Sequence, residues 1–324
     1  MTDHASDHAS DHASDHASDH ASDHASAYDG LLGDDSAQWA FGQDFEDPLA
    51  GVDTTPAAGV DGAALAAYCL MLGDDALVYS HRLSQWASNA PDLEEDIALA
   101  NIALDLLGQA RLLLARAAAA DPSVVPTLPA GSPVPPEDAL AFFRDDADFR
   151  NVRLVEGENG DFAVTAARLL LFATHRLALL EQLRDSIDPV LAAIAAKGVK
   201  EVAYHRDHAA RWCVTLARGT EESRRRMRAG LDVVWPLHHE LFRTHPVEAT
   251  AAEQGFGVDP AGLATGVDVL LEQVLSVGGL DRPTVPPTGP LGRGAGRDGR
   301  HTEALGRMLA EMQVVARAHP AGRW

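Results

Sequence analysis

Three polar side chains, Asn101, Asp105 and Gln109, recur every fourth residue through a run that is otherwise Leu, Ile and Ala. In a helix that spacing sets them on one stripe, and a polar stripe on an apolar helix needs partners. Glu201 and His205, four residues apart in a second segment of helical pattern, offer a carboxylate and an imidazole. Such groups inside a helical bundle build di-iron carboxylate centres, where two helices give one Glu each and the other two give a Glu-x-x-His pair each. No Glu-x-x-His occurs in this chain: Glu94 leads to Ile97, Glu181 to Arg184 and Glu201 to Tyr204. The favoured reading of Asn101, Asp105, Gln109, Glu201 and His205 is therefore a buried hydrogen-bond network tying two helices together, rather than a catalytic acid–base pair.

Three further groupings invite chemistry. His205, His208, His238, His239 and Glu240 could assemble a different metal site, although paired histidines on helices are usually unliganded. Arg224, Arg225, Arg226 and Arg228 could hold the phosphates of a nucleotide-like group; a solvated or ion-paired face is the commoner use of such a run. The segment Gly294-Ala-Gly296-Arg-Asp-Gly299 matches GxGxxG. A dinucleotide fingerprint must follow a strand, however, and here a Pro/Gly-rich loop precedes it, so a flexible loop is expected.

The element that positions the polar stripe is Asp92–Ala120, long, apolar on nearly every face, and thus expected to be buried within a bundle. Asp92 caps it, Glu95 can close a capping box, and Asp121-Pro122 ends it after about 28 residues, about 42 Å. Before it runs a helix over Gly62–Ser88, with Gly73-Asp74-Asp75 as a possible irregularity, and the short turn between them sets the pair antiparallel. After a Pro-rich excursion over Pro122–Pro136, a third helix follows Asp161 to about Arg184, and a fourth follows Asp188-Pro189 to Arg218. Two hairpins joined by one long connection give an all-α four-helix bundle. Additional C-terminal helices are expected over Glu221–Phe242, kinked or broken at Pro236, then from Asp259-Pro260 to about Val277, and over Arg300–Ala318. No convincing alternating strand occurs.

The chain of 324 residues is 46% hydrophobic with a formal net charge of −22. It opens on six copies of DHAS, Asp3–Ser26, a low-complexity tract expected to be disordered. An arm over 27–61, free of Lys and Arg and carrying Trp39, Phe41 and Phe45, is expected to be flexible, and the folded domain spans 62–324. With 48 acidic residues, only six of them in the tract, against 26 basic ones, generic nucleic-acid binding is excluded. Cys69 and Cys213, without CxxC spacing, fit free buried thiols in a reducing compartment. No charged leader and no unbroken apolar run of about 18 residues occur, so a cytoplasmic chain without a membrane partner is expected.

Four separated runs carry a family resemblance: LVYSHRLSQWASNAPDLEEDIALANIALDLLGQAR (Leu77–Arg111), LVEGENGDFAVTAAR (Leu154–Arg168), AAKGVKEVAYHRDHAARW (Ala195–Trp212) and GRHTEALGRMLAEMQ (Gly299–Gln313). They resemble the C-subunit family of the phenylacetyl-CoA oxygenase, also called ring-1,2-phenylacetyl-CoA epoxidase. The resemblance implies a ferritin-like four-helix bundle that is the structural, non-catalytic partner of a di-iron A subunit. It also implies assembly as a dimer of heterodimers with a small B subunit, and electrons delivered by a reductase carrying flavin and iron–sulfur groups. Catalytic relatives carry Glu-x-Gly-His and Glu-x-Phe-His on their second and fourth helices. Matched to this chain, those become Leu106-Leu107-Gly108-Gln109 and Val202-Ala203-Tyr204-His205. With Leu106, Gln109 and Val202 in three ligand positions, His205 is left alone, and no cofactor is expected in this chain. Two other classes stay open at this point: a free-standing metal-binding ferritin-like oxidase, and a helical scaffold of an unrelated complex.

Overall fold

The computed structural model describes Leu49, residues 51–290 and residues 294–322; the DHAS tract and Trp39, Phe41 and Phe45 lie outside these. Four long helices form the centre: α1 (Gly62–Ser84), α2 (Leu93–Ala120), α5 (Phe162–Leu183) and α6 (Pro189–Arg218). Their starts follow from short acceptor side chains that satisfy otherwise orphaned N–H groups. Asp61 accepts from Ala63 N, Asp92 from Glu95 N, Asp161 from Val164 N and Asp188 from Leu191 N. The capping box at Asp92 is only half formed, because the Glu95 carboxylate turns toward α6 instead (below).

Helices α1 and α2 form one hairpin, α5 and α6 the other, with a long crossover between them, as a ferritin-like bundle requires. α1 runs unbroken through Gly73-Asp74-Asp75. Gly73 is there because the helices touch: a Cβ would lie 3.0 Å from Leu114 Cδ2. The crossover holds two short helices that the apolar periodicity did not disclose, α3 (Pro136–Phe142) and α4 (Arg153–Glu156). The remaining helices are α7 (Glu221–His238), α8 (Pro246–Glu253), α9 (Ala264–Gly278) and α10 (Glu303–Ala318). α7 continues through Pro236 and passes into a 3-10 turn over His239–Phe242. α9 stops at Gly279, whose φ of +63° suits glycine. No strand occurs among the described residues.

Two aspartates in the middle of apolar α1 attach the outer elements. Asp74 accepts from Arg144 and from Arg150 N at 2.8 Å. Asp75 accepts from Arg297 Nη2 and from Val152 N, each at 2.8 Å. The GxGxxG segment is thus a buried turn clamped to the bundle, not the flexible loop its composition suggested. Gly296 N donates to Glu240 Oε1 at 2.7 Å, and a Cβ on Gly296 would lie 2.1 Å from Asn151 O. Those glycines serve close backbone approach. The described end of the arm packs on the bundle: Leu49 is buried and Thr54 O accepts from Arg116, which also pairs with Asp188. α1, α2, α5 and the segment ending in α9 are long and apolar enough to cross a membrane by composition. In α1, α2 and α5 most of that apolar window is buried inside the fold, whereas in α9 only 28% is.

Candidate functional site: the α2–α6 seam

The ligand positions implied by the family resemblance come together between α2 and α6. Leu106 and Val202 are fully buried apolar side chains. Gln109 Nε2 donates to Glu201 Oε2 at 2.9 Å, and its Oε1 accepts from Arg176 Nε at 2.9 Å. One turn back on α2, Asp105 Oδ2 lies 2.9 Å from His205 Nε2. As numbering rises from 105 to 109 it falls from 205 to 201, so the helices run antiparallel with two polar rungs. Toward the α2 N-terminus His208 Nε2 and Glu95 Oε2 are 3.0 Å apart, yet neither has a partner in hydrogen-bonding alignment. The contact is thus a close approach without an aligned hydrogen bond, and burial, opposed by Glu95, lowers the His208 pKa below its ordinary value.

Asn101 does not belong to this network. It is exposed, whereas Asp105 is half-buried and Gln109 buried. The reason is helical geometry: with 3.6 residues per turn, each step of four turns the stripe by about 40°. The row that begins at the surface with Asn101 winds inward to Gln109. Nor do His205, His208, His238, His239 and Glu240 assemble. His238 Nδ1 lies 2.6 Å from Trp235 O, and Glu240 is taken by Arg153 and Gly296 N. The arginine run is an ion-paired outer face: Glu222 bonds both Arg225 and Arg226, and Arg224 donates to Ala217 O.

The group that sequence reasoning missed is Arg176 of α5. Its guanidinium is buried, donates to Gln109 Oε1 and to Leu72 O at 3.3 Å, and leaves Nη2 without a partner. Burial pushes its pKa down to about 10, with the nearby Asp75 opposing that shift and Arg297 adding to it. At neutral pH it still carries a positive charge inside the bundle. After Asp75, Glu201 is the next carboxylate that balances it, linked through Gln109 and 3.7 Å from Lys197 Nζ. Burial raises the Glu201 pKa, and the Gln109 hydrogen bond partly offsets it. The signal was present: Arg176, next to Thr174 and His175 in an α5 segment that is mostly Leu, Ala and Phe, must find partners inside the fold.

Tested against a di-iron centre, these residues do not fit. Such a centre needs carboxylates to offset the metal charge, and two of the positions are hydrocarbon. The Gln109 amide is committed on both ends, and a guanidinium hydrogen-bonded beside it would repel a divalent cation. Among the described residues no three His, Cys, Asp or Glu side chains are grouped to hold a metal ion.

A two-hairpin bundle whose centre holds a guanidinium–amide–carboxylate chain defines a ferritin-like helical protein. The chain belongs to the phenylacetic acid catabolic protein family, which it matches over residues 51–324. It is 41% identical over 261 residues to the C subunit of the 1,2-phenylacetyl-CoA epoxidase of Escherichia coli (strain K12), a match that covers 80% of this chain and 99% of that protein.

Proposed function

We propose that this chain is the structural, non-catalytic subunit of a multicomponent phenylacetyl-CoA epoxidase in phenylacetate breakdown. In this reading it pairs with and stabilises the di-iron A subunit, and carries no cofactor of its own. The observation that carries the proposal is the fully buried Leu106 and Val202 where catalytic relatives hold glutamates, with the Arg176 cation drawn into the core beside them through Gln109. Near-complete coverage of the C-subunit relative supports the assignment to that role rather than to the metal-bearing one. A cytoplasmic dimer of heterodimers, completed by a small B subunit and served by a flavin and iron–sulfur reductase, is part of the same proposal.

The test is co-expression with the di-iron subunit, followed by sizing and by iron analysis of each purified chain. The expected result is co-elution at micromolar concentration, with iron in the partner and none at stoichiometric level here. Two irons per copy of this chain would overturn the reading in favour of a free-standing oxidase. Separate elution of the two chains would overturn the pairing.

A further inference from the structure

The near-continuous apolar sequence of α2 predicts burial all round, and the structure shows one face open. Leu93 is 70% exposed, Ile97 54%, Leu104 56% and Leu107 41%, with exposed Ala100 between them. Their spacing of four, three, four and three residues is the seam spacing of helix-on-helix packing. The seam runs about 21 Å along the helix at 1.5 Å per residue. On its α6 side stands Tyr204, 48% exposed. Monomeric proteins rarely leave such a continuous apolar stripe open to water.

We infer that this α2–α6 face is the seat of the partner subunit's helical bundle; the inference rests on the functional reading above and adds the surface on which it acts. Charge favours that occupant. The chain carries a formal net charge of −22 and only two lysines, Lys197 and Lys200; both share one row of α6 with Tyr204 and exposed Arg211, a row in which Asp207 is the one carboxylate, and Lys197 also pairs with Glu201 at 3.7 Å. An apolar seam with a basic flank on an acidic protein is complementary to a helix that carries apolar residues with acidic ones alongside. A second copy of this chain would bring the same basic flank and the same large negative charge. The seam also lies outside the Asp105–His205 rung, so a docked helix would cover the half-exposed Asp105 carboxylate.

The test uses the full chain and the di-iron subunit. Leu104→Glu combined with Leu107→Glu alters side chains that are about half exposed, so the circular dichroism spectrum should stay at the parental shape with only a small drop in unfolding temperature. Affinity for the di-iron subunit should fall at least about 30-fold, since truncating or charging a central contact typically removes about 2 kcal/mol or more. Val269→Glu on the exposed face of α9 should leave affinity unchanged, and Lys200→Glu should slow association and flatten its salt dependence. A photo-crosslinking residue at position 104 should join this chain to the di-iron subunit. Parental affinity in the double variant overturns the docking face alone. So does a double variant that loses only self-association, which would make the occupant a second copy. A parent chain that fails to bind the di-iron subunit overturns the functional reading, and this inference falls with it.

Discussion

Replacing Leu106 by Glu asks whether the substituted metal position faces an apolar core. Leu106 is fully buried on α2, one turn from Gln109. A carboxylate there, set among hydrocarbon and not paired with the Arg176 guanidinium that Gln109 holds, takes up a proton instead of staying charged. Neutralising a carboxyl of ordinary pKa about 4.3 at pH 7 costs about 1.4 kcal/mol per unit, or roughly 3.7 kcal/mol. Part of the leucine's own burial, about 1.5–3 kcal/mol in full, is lost as well. The expected destabilisation is thus about 4–6 kcal/mol at pH 7. The sign with pH follows from a folded pKa raised above the unfolded one: the penalty is greatest well above pH 4.3 and shrinks on acidification. At pH 5 the protonation part falls to about 1 kcal/mol. The assay is chemical unfolding of Leu106→Glu and the parent at pH 7 and pH 5, with and without ferrous iron. Near-zero loss would mean that position 106 is not buried. A loss that does not shrink at pH 5 would show that the carboxylate has found a cation, Arg176 being the candidate, and would refute the assignment of an apolar surround. Stabilisation by iron would refute the argument that Val202 and Gln109 leave the site short of ligands.

Arg297→Met should destabilise by about 3–5 kcal/mol by leaving the buried Asp75 carboxylate unpaired, and adding Asp75→Asn should recover much of it; thermal unfolding of the three variants decides. Gly296→Ala should cost about 1–3 kcal/mol and open the turn to protease, because its Cβ meets Asn151 O; an unchanged digestion pattern would mean that the turn is not clamped. Burial opposes the charge on His301, but the Glu156 carboxylate at 2.7 Å more than offsets it and holds the imidazole pKa above its ordinary value. Its contribution, about 1.5–3 kcal/mol for a charged hydrogen bond, is complete below pH about 6.5 and fades as pH rises through the raised folded value. Unfolding across that range should show the slope in the parent and a flatter one in His301→Gln.

The bundle was legible because its signals are local: Asp caps before apolar runs, a short connection between the first two helices, which spans 85–92 because α1 ends at Ser84 rather than Ser88, and Pro189 at the first position of the fourth. The candidate site was half legible. The i, i+4 pairs Asp105/Gln109 and Glu201/His205 face each other as their spacing on two antiparallel helices allows. Asn101 fell out because a row of fourth residues winds around its helix. What stayed hidden is long-range. Arg176 meets Gln109 across 67 residues, and Arg297 meets Asp75 across 222, and no periodicity encodes such pairings. The open face of α2 was misread for a related reason: an apolar side chain looks the same whether it faces its own core or another protein's.

The Asp75–Arg297 clamp also sets an order of events at the ribosome. Among the described residues α1 is the first long helix to emerge, and it carries a carboxylate in its apolar middle whose partner lies 222 residues downstream. At about 5–20 residues per second the guanidinium arrives roughly 10–45 s after the aspartate. Both hairpins are complete only once residue 218 has been made, and until Arg297 follows the nascent chain must keep Asp75 hydrated, protonated or shielded by another factor. Closure of the outer layer is thereby deferred to the end of synthesis. A messenger truncated anywhere before codon 297 should yield a chain with an unpaired carboxylate in its first helix, which quality control can distinguish from the finished one.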